Sequence, residues 1–265
     1  MYLQSENIKK LKIRESQKSW AYLYPNYHPP SYSKPKEAFP VDLQCFVDIA
    51  TPSNVIEISK KLRYRLITDL FSGPYVTDYD KACFASNGIP LNPSGRCGIS
   101  GRGLHPKFGI NYRAFYCIFK KNPDNGTLYL LTTTHEIGMG LLPFADKYDT
   151  ISRSDVFLVK LLTSLKVPVK NVQLMSSKSH LSIGQVESNT GHVMYKKMPD
   201  QIDTDNAWLE ADVYCLNLSH HFSLLSDSHD NFHWTQLTAG TVNVVACNAV
   251  HSQFISASLN LLNIG

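Results

Sequence analysis

Between Asn87 and Gly109 the chain places glycine or proline at positions 88, 90, 93, 95, 98, 101, 103, 106 and 109, with Arg96 and Arg102 among them. Proline removes a backbone donor, and glycine loses the most conformational freedom on ordering. Neither a helix nor a long strand is therefore expected to run through this stretch. It reads as a structured loop or a linker. The segment before it, 20–40, is dense in tyrosine and proline (Tyr22, Tyr24, Pro25, Tyr27, Pro29, Pro30, Tyr32, Pro35, Pro40). That composition disfavours helix and suits an extended arm. The arm is either a linker or a strap lying on another surface, and its aromatic rings argue for packing. Within 55–70 apolar and polar residues mix without a clean period, which predicts only a short strand or helix.

Beyond the loop the pattern changes. Residues 112–119 and 128–133 are strand-like runs separated by Asn122-Pro123-Asp124-Asn125-Gly126, a turn signal that predicts a β-hairpin. Residues 153–165 carry Val156, Phe157, Val159, Leu161, Leu162 and Leu165 after Ser152 or Ser154 as a candidate cap, with Pro168 just beyond; this predicts a helix with a broad apolar face. Further strands are expected at 169–175, 193–197, 207–218 and 232–237, and a last helix at 251–262. Strands interleaved with helices in this order imply an α+β fold.

With 43% hydrophobic and 18% charged residues, the 265-residue chain can bury a sizeable core. Its +4 charge arises from 26 basic and 22 acidic residues spread along the chain, too small an excess for a partner such as nucleic acid. No apolar run approaches the roughly 20 residues of a membrane-spanning helix, and the first residues are too polar for a secretory signal, so no direct membrane insertion is expected. The six cysteines (Cys45, Cys83, Cys97, Cys117, Cys215, Cys247) show no close pairing that would signal a disulfide framework or a zinc site. An intracellular location follows, soluble or at the cytosolic face of a membrane, with the mitochondrion also open.

Three segments carry a resemblance. The first is Asn92-Pro93-Ser94-Gly95-Arg96-Cys97-Gly98-Ile99-Ser100-Gly101-Arg102-Gly103, continued by Phe108-Gly109-Ile110-Asn111. The second is Asp203-Thr204-Asp205-Asn206-Ala207-Trp208-Leu209-Glu210. The third is His251-Ser252-Gln253-Phe254-Ile255. Together they resemble the Nudix ADP-ribose pyrophosphatases and their relative, the C-terminal domain of the melastatin-type ADP-ribose-gated cation channel. The resemblance implies a Nudix-like mixed β-sheet sandwiched between helices, preceded by a smaller N-terminal domain, with ADP-ribose held in the cleft between the two. The expected organisation is an arm at 1–40, an N-terminal domain at 41–109 ending in the signature loop, and a Nudix-like core at 110–265.

Hydrolysis of a diphosphate in this family needs Mg²⁺ held by several glutamates on one helix face. The resemblance puts that helix at 153–165, yet no glutamate occurs between Glu136 and Glu187. Where the resemblance expects the box arginine, the first glutamate and the final glutamate pair, the chain has Val159, Lys160, Thr163 and Ser164. Catalysis by the family mechanism is therefore expected to be lost. Asp146, Asp149 and Asp155 are either substitute metal ligands or solvated and capping carboxylates, and the first two read as loop.

Ligand binding can outlive the metal. The resemblance carries Asp200 and His251 over as ligand contacts, whereas the arginine expected after Asp200 is replaced by Gln201-Ile202, and the tyrosine expected before the histidine by Asn248. Arg96 and Arg102 either bind ligand or hold the loop through backbone carbonyls. His251 contacts ligand or caps the last helix. Trp208 reads as a core residue, and Asp205 and Asn206 as turn formers. His229 and His233 have the spacing of a zinc-binding helix but read as loop, as do His220 and His221.

The function expected is a catalytically inactive Nudix-like domain that binds ADP-ribose or a related nucleotide in a regulatory role, as part of an ADP-ribose-responsive channel or as a separate sensor. No cofactor is expected. The alternatives are an ADP-ribose diphosphatase, which would require Mg²⁺ and release AMP and ribose 5-phosphate, and a structural domain that contacts other subunits of a channel.

Overall fold

The structure, a computed structural model, describes residues 8–49, 89–134, 140–147, 153–166, 190–198, 202–219, 222, 225, 228–229, 232–238 and 249–263. The segments expected at 55–70 and 169–175 lie outside these, as do Asp149, Asp200, His220, His221 and Asn248. The chain divides into two compact units: Met1–Asn111 with Lys197–Glu210, and Tyr112–Lys196 with Ala211–Gly265.

In the first unit the arm is ordered by the signature loop. A single helical turn, α1 (Glu15–Lys18), leads into the Tyr/Pro segment. Its short strand β1 (Ser31–Ser33) then pairs in parallel with β2 (Ser100–Gly103) inside the loop. Pro35 and Pro40 open two 3₁₀ turns, Lys36–Ala38 and Val41–Phe46, where the fixed φ of proline suits a helical start. The loop's glycines allow close approach. Gly98 has φ +84 and a Cβ there would lie 2.2 Å from the Leu11 carbonyl oxygen, while Gly101 at φ +85 faces the Tyr32 carbonyl at 2.3 Å. Backbone bonds from Leu11 N to Gly98 O (2.8 Å), Arg96 N to Lys18 O (2.8 Å) and Lys34 N to Gly103 O (2.8 Å) run along this seam. The arm is thus a strap on the loop.

Residues 203–206 close the same unit from the other side. Asn92 N donates to Asp205 O (2.7 Å), Asp205 N to Ile99 O (2.8 Å) and Gly109 N to Asn206 O (2.7 Å). Side chains add to this: Gly101 N donates to Asn206 Oδ1 (2.9 Å) and Thr204 Oγ1 to the Gly101 carbonyl (2.7 Å). Asp205 and Asn206, expected only as turn formers, are buried cross-links. Each satisfies loop donors that would otherwise be lost to solvent exclusion, which is why short acceptors at these positions suit the segment. Trp208 is buried as expected, and its Nε1 donates to Glu210 Oε1 at 2.8 Å.

An eight-stranded sheet organises the second unit. In chain order its strands are β3 (Gly109–Lys121), β4 (Leu128–Thr134), β5 (Gly140–Leu141), β6 (Phe144–Lys147), β7 (Thr190–Met198), β8 (Ala207–Asn217), β9 (Ser228–His229) and β10 (Phe232–Gln236). Their order is β7-β8-β3-β4-β10-β9, with β5 on β4 and β6 on β3. The expected hairpin forms in the register Phe119↔Leu130 and Lys121↔Leu128, its turn closed by Asn122 N to Thr127 O at 2.8 Å.

Alternation along β3 assigns one set of side chains to each helix. Ala114, Tyr116 and Ile118 pack with Leu158, Leu161 and Leu162 of α2 (Arg153–Ser164), with Leu165 just beyond it, and with Tyr214 and Leu216 of β8. From the opposite set, Phe115 meets Phe254 of α3 (Ala249–Leu262) at 5.6 Å between ring centroids. A strand covered on both faces reads as a continuous apolar run, as 114–119 does. The unit is the mixed sheet between helices that the sequence implied, and its class is α+β. Lys120 is the exception within β3: buried, it points its ammonium at Trp234 (4.6 Å), Phe222 (5.0 Å) and Tyr129 (5.7 Å), whose ring faces attract a cation.

Two expectations are corrected here. Asp146 lies on β6, opposite Arg113 of β3, and not in a loop. His229 and His233 lie on strands β9 and β10, which pair antiparallel as Phe232↔His229 and His233↔Ser228, and not on the helix of a zinc motif.

Candidate functional site

The helix α2 is the one on which the resemblance expects the catalytic box. Its buried stripe faces the sheet, and Lys160 and Thr163 point to solvent on the opposite side. Ser164 turns its hydroxyl back to the Leu161 carbonyl at 2.7 Å, and Val159 lies on the same helix. A hard dication needs several anionic oxygens at close range. An ammonium and two hydroxyls do not supply them, so Lys160, Thr163 and Ser164 do not fit Mg²⁺. Among the described residues no group of three His, Cys, Asp or Glu side chains could hold a metal ion. Asp146, one of the candidate substitutes, is already an acceptor for Arg113 Nε at 2.6 Å.

His251 stands in the first turn of α3 and is buried. Its ring lies 5.3 Å from Phe115 and 6.0 Å from Phe254, stacked on the latter. Burial, helped by the charge of Arg113, holds the imidazole below its usual pKa, and among the described residues Nδ1 has no hydrogen-bond partner. A neutral ring with one orphaned nitrogen in an aromatic setting is poised to receive a polar group. Arg113 stacks on Phe144 at 4.3 Å, and Phe144 lies 5.8 Å from Phe115. These residues of one unit form a half-open cluster of aromatic faces, one cation and one neutral imidazole. Sequence reading singled out His251 alone. The signal for Arg113 was available: it is the single charge between Gly109 and Phe119.

Arg96 and Arg102 belong to the other unit, and both are engaged. Arg96 donates to the carbonyls of Gln17 (2.9 Å), Ser19 (2.6 Å) and Tyr22 (3.0 Å), with Trp20 4.7 Å from the guanidinium. Arg102 donates to the carbonyls of His105 and Lys34, the latter at 2.8 Å, and burial lowers its pKa. Both guanidinia thus bind backbone carbonyls, the loop-holding arrangement. Lys197, at the end of β7, went unnoticed in the sequence because it follows another lysine. It donates to Asn92 Oδ1 and to Ser94 Oγ (2.6 Å), and burial brings its pKa down to about 8.

Comparison with known proteins meets these observations. Residues 13–109 match the family described as NUDT9-like, N-terminal domain. Protein ced-11 of Caenorhabditis elegans is 32% identical over 222 residues, covering 80% of this chain and 15% of that protein. Putative nudix hydrolase 6 of the same organism is 25% identical over 217 residues, covering 81% of this chain and 75% of that protein. The chain therefore spans a small fraction of the first relative and most of the second. Among solved structures, the Nudix domain of Shewanella oneidensis NrtR complexed with ADP ribose has 12% identity and a TM-score of 0.37, covering 58% of this chain and 88% of that one. That likeness is too slight to bear on fold or ligand. The second unit, a sheet between two helices, has the α+β class of a Nudix-like fold. With an N-terminal part that matches the NUDT9-like N-terminal domain, the chain is similar to Nudix proteins of the ADP-ribose pyrophosphatase-like kind.

Proposed function

We propose that this chain is a Nudix-like module that binds ADP-ribose or a related nucleotide without hydrolysing it, in a regulatory role within a larger protein such as an ADP-ribose-responsive cation channel. The observation that carries the reading is the pairing of an α2 whose solvent side offers Lys160 and Thr163, unsuited to a metal, with a cluster around His251 still suited to a ligand. Nucleotide affinity needs stacking faces and donors to phosphate, neither of which depends on the metal. Asp200, carried over from the resemblance, is the proposed ribose acceptor. Arg96 and Arg102 serve by holding the loop. The setting within a larger protein is supported by ced-11, of which the matched region is 15%. Among the described residues no helix is long and apolar enough to cross a membrane.

The test is calorimetric titration of ADP-ribose into the purified chain with Mg²⁺ present, followed by chromatography of the nucleotide. Saturation with intact ADP-ribose is expected. Release of AMP would replace this reading with the diphosphatase, and a flat trace would replace it with the assembly domain.

A further inference from the structure

The surroundings of Arg113 are those of an anion-binding guanidinium held ready. Its Nε donates to Asp146 Oδ1 at 2.6 Å across the antiparallel pair of β3 and β6. Its guanidinium carbon stands 4.3 Å from the centre of the Phe144 ring, which is 37% exposed. One edge of the group is taken by a carboxylate and one face by an aromatic ring, so its plane is set. Among the described residues its hydrogen bonding goes through Nε alone, which leaves both terminal nitrogens. Those two nitrogens have the fork geometry that matches a pair of phosphate oxygens. The side chain is 22% exposed, open enough for a ligand and sheltered enough for charge to count. Across the Phe115 ring from Phe144 is His251, only 6% exposed, whose Nδ1 has no partner among the described residues.

We propose that Arg113 is the phosphate-binding arginine of this module, clamping the diphosphate of the bound nucleotide while Asp146 and Phe144 hold its guanidinium in plane and His251 lines the same pocket wall. The inference rests on the nucleotide-binding reading and deepens it. It also answers a gap in the sequence, where Gln201-Ile202 stand in the place of the arginine that the resemblance expects. Asp146 is a positioning residue, and a costly one: its negative charge orients the fork but repels the phosphate that the fork binds. Asparagine would keep the acceptor for Nε and remove the repulsion.

ADP-ribose affinity, measured by calorimetry at two salt concentrations for the whole chain, tests this. R113Q should bind roughly ten- to hundredfold more weakly, the loss expected for charge-assisted hydrogen bonds, with a flatter salt dependence. R113K, which keeps the charge without the fork, should fall between R113Q and wild type and guards against a folding defect in R113Q. D146N should bind severalfold more tightly, an effect that a merely structural ion pair would not produce. If wild type binds and R113Q binds equally well, Arg113 is overturned and the proposed function stands. If wild type does not bind ADP-ribose, the proposed function falls, and inorganic pyrophosphate becomes the probe. Binding of pyrophosphate by wild type and not by R113Q sustains the anion site, and binding by neither overturns it. Equal or weaker nucleotide affinity in D146N overturns the part assigned to Asp146.

Discussion

The hydroxyl of Tyr27 donates to Asp205 Oδ2 at 2.6 Å across 178 positions of sequence, joining the arm to the D-T-D-N segment. The other oxygen of Asp205 accepts from Cys97 N at 2.6 Å, and Gly98 N donates to the Tyr27 oxygen at 3.0 Å. Burial raises the pKa of Asp205, and these hydrogen bonds pull it back down; burial and the neighbouring carboxylate raise that of Tyr27. Tyr27→Phe removes one donor from a buried acceptor and should cost about 1–3 kcal/mol. A sign follows from linkage. A carboxyl with a raised folded pKa contributes stability that is fully present below its unfolded pKa and is lost as pH rises through the folded value. Losing the Tyr27 bond raises the folded pKa further, so the penalty in Tyr27→Phe should be larger at pH 7 than near pH 4. Urea denaturation at the two pH values checks this, and an equal penalty at both refutes it.

Gly98 gives the second prediction. Its φ of +84 and the 2.2 Å approach of a Cβ to the Leu11 carbonyl oxygen leave no room for alanine without moving the strap. Gly98→Ala should destabilise the chain by about 2 kcal/mol or more through strain and displaced backbone. The arm should also become the first site of limited proteolysis. Wild-type cleavage kinetics within residues 8–34 of the variant would contradict the role given to this glycine.

Much of this architecture is legible in the sequence. The hairpin is, because Asn122-Pro123-Asp124-Asn125-Gly126 permits little else between two apolar runs, and the strands meet at Phe119↔Leu130. α2 is, because its leucines recur at helical spacing and all face the core. β5 and β6 are not: two and four residues are too short to show a period, and their pairing is decided by β4 and β3. The strap's placement is half legible, since its rings promise packing while only the loop's positive-φ glycines decide where. In the candidate site, His251 is visible through its motif. Arg113 acquires its meaning from Asp146 and Phe144, 33 and 31 positions away, a relation that no local pattern carries.

His251 should make stability pH-dependent in a definite direction. Burial and the Arg113 charge lower its folded pKa below the usual 6.5. A base with a depressed folded pKa contributes stability that is complete above the unfolded pKa and declines as pH falls toward the folded value. The urea midpoint of wild type should therefore drop as pH falls below 6.5. In His251→Gln, which cannot titrate, that part of the slope should vanish. Parallel pH profiles for the two proteins would show that the imidazole takes up its proton as freely in the fold as out of it.

Lys197 makes the last prediction, because a strand-end lysine is ordinarily solvated and this one is half-buried. Its ammonium donates to Asn92 Oδ1 and Ser94 Oγ and lies 5.6 Å from the Trp208 ring centre. Burial outweighs the nearby Asp203 and Cys97, bringing the pKa from 10.5 down to about 8. Folding therefore favours the neutral amine, and this group's contribution to stability should rise with pH between about 8 and 10.5. Reductive ¹³C-methylation of the folded chain, with the Lys197 resonance assigned by a Lys197→Arg variant, reads the group directly. A dimethylamine titrating near 8 is expected, along with early reaction of Lys197 in competitive labelling at that pH. A midpoint close to 10.5 would mean that the amine reaches water, and that the Asn92–Ser94 pocket does not hold it in solution.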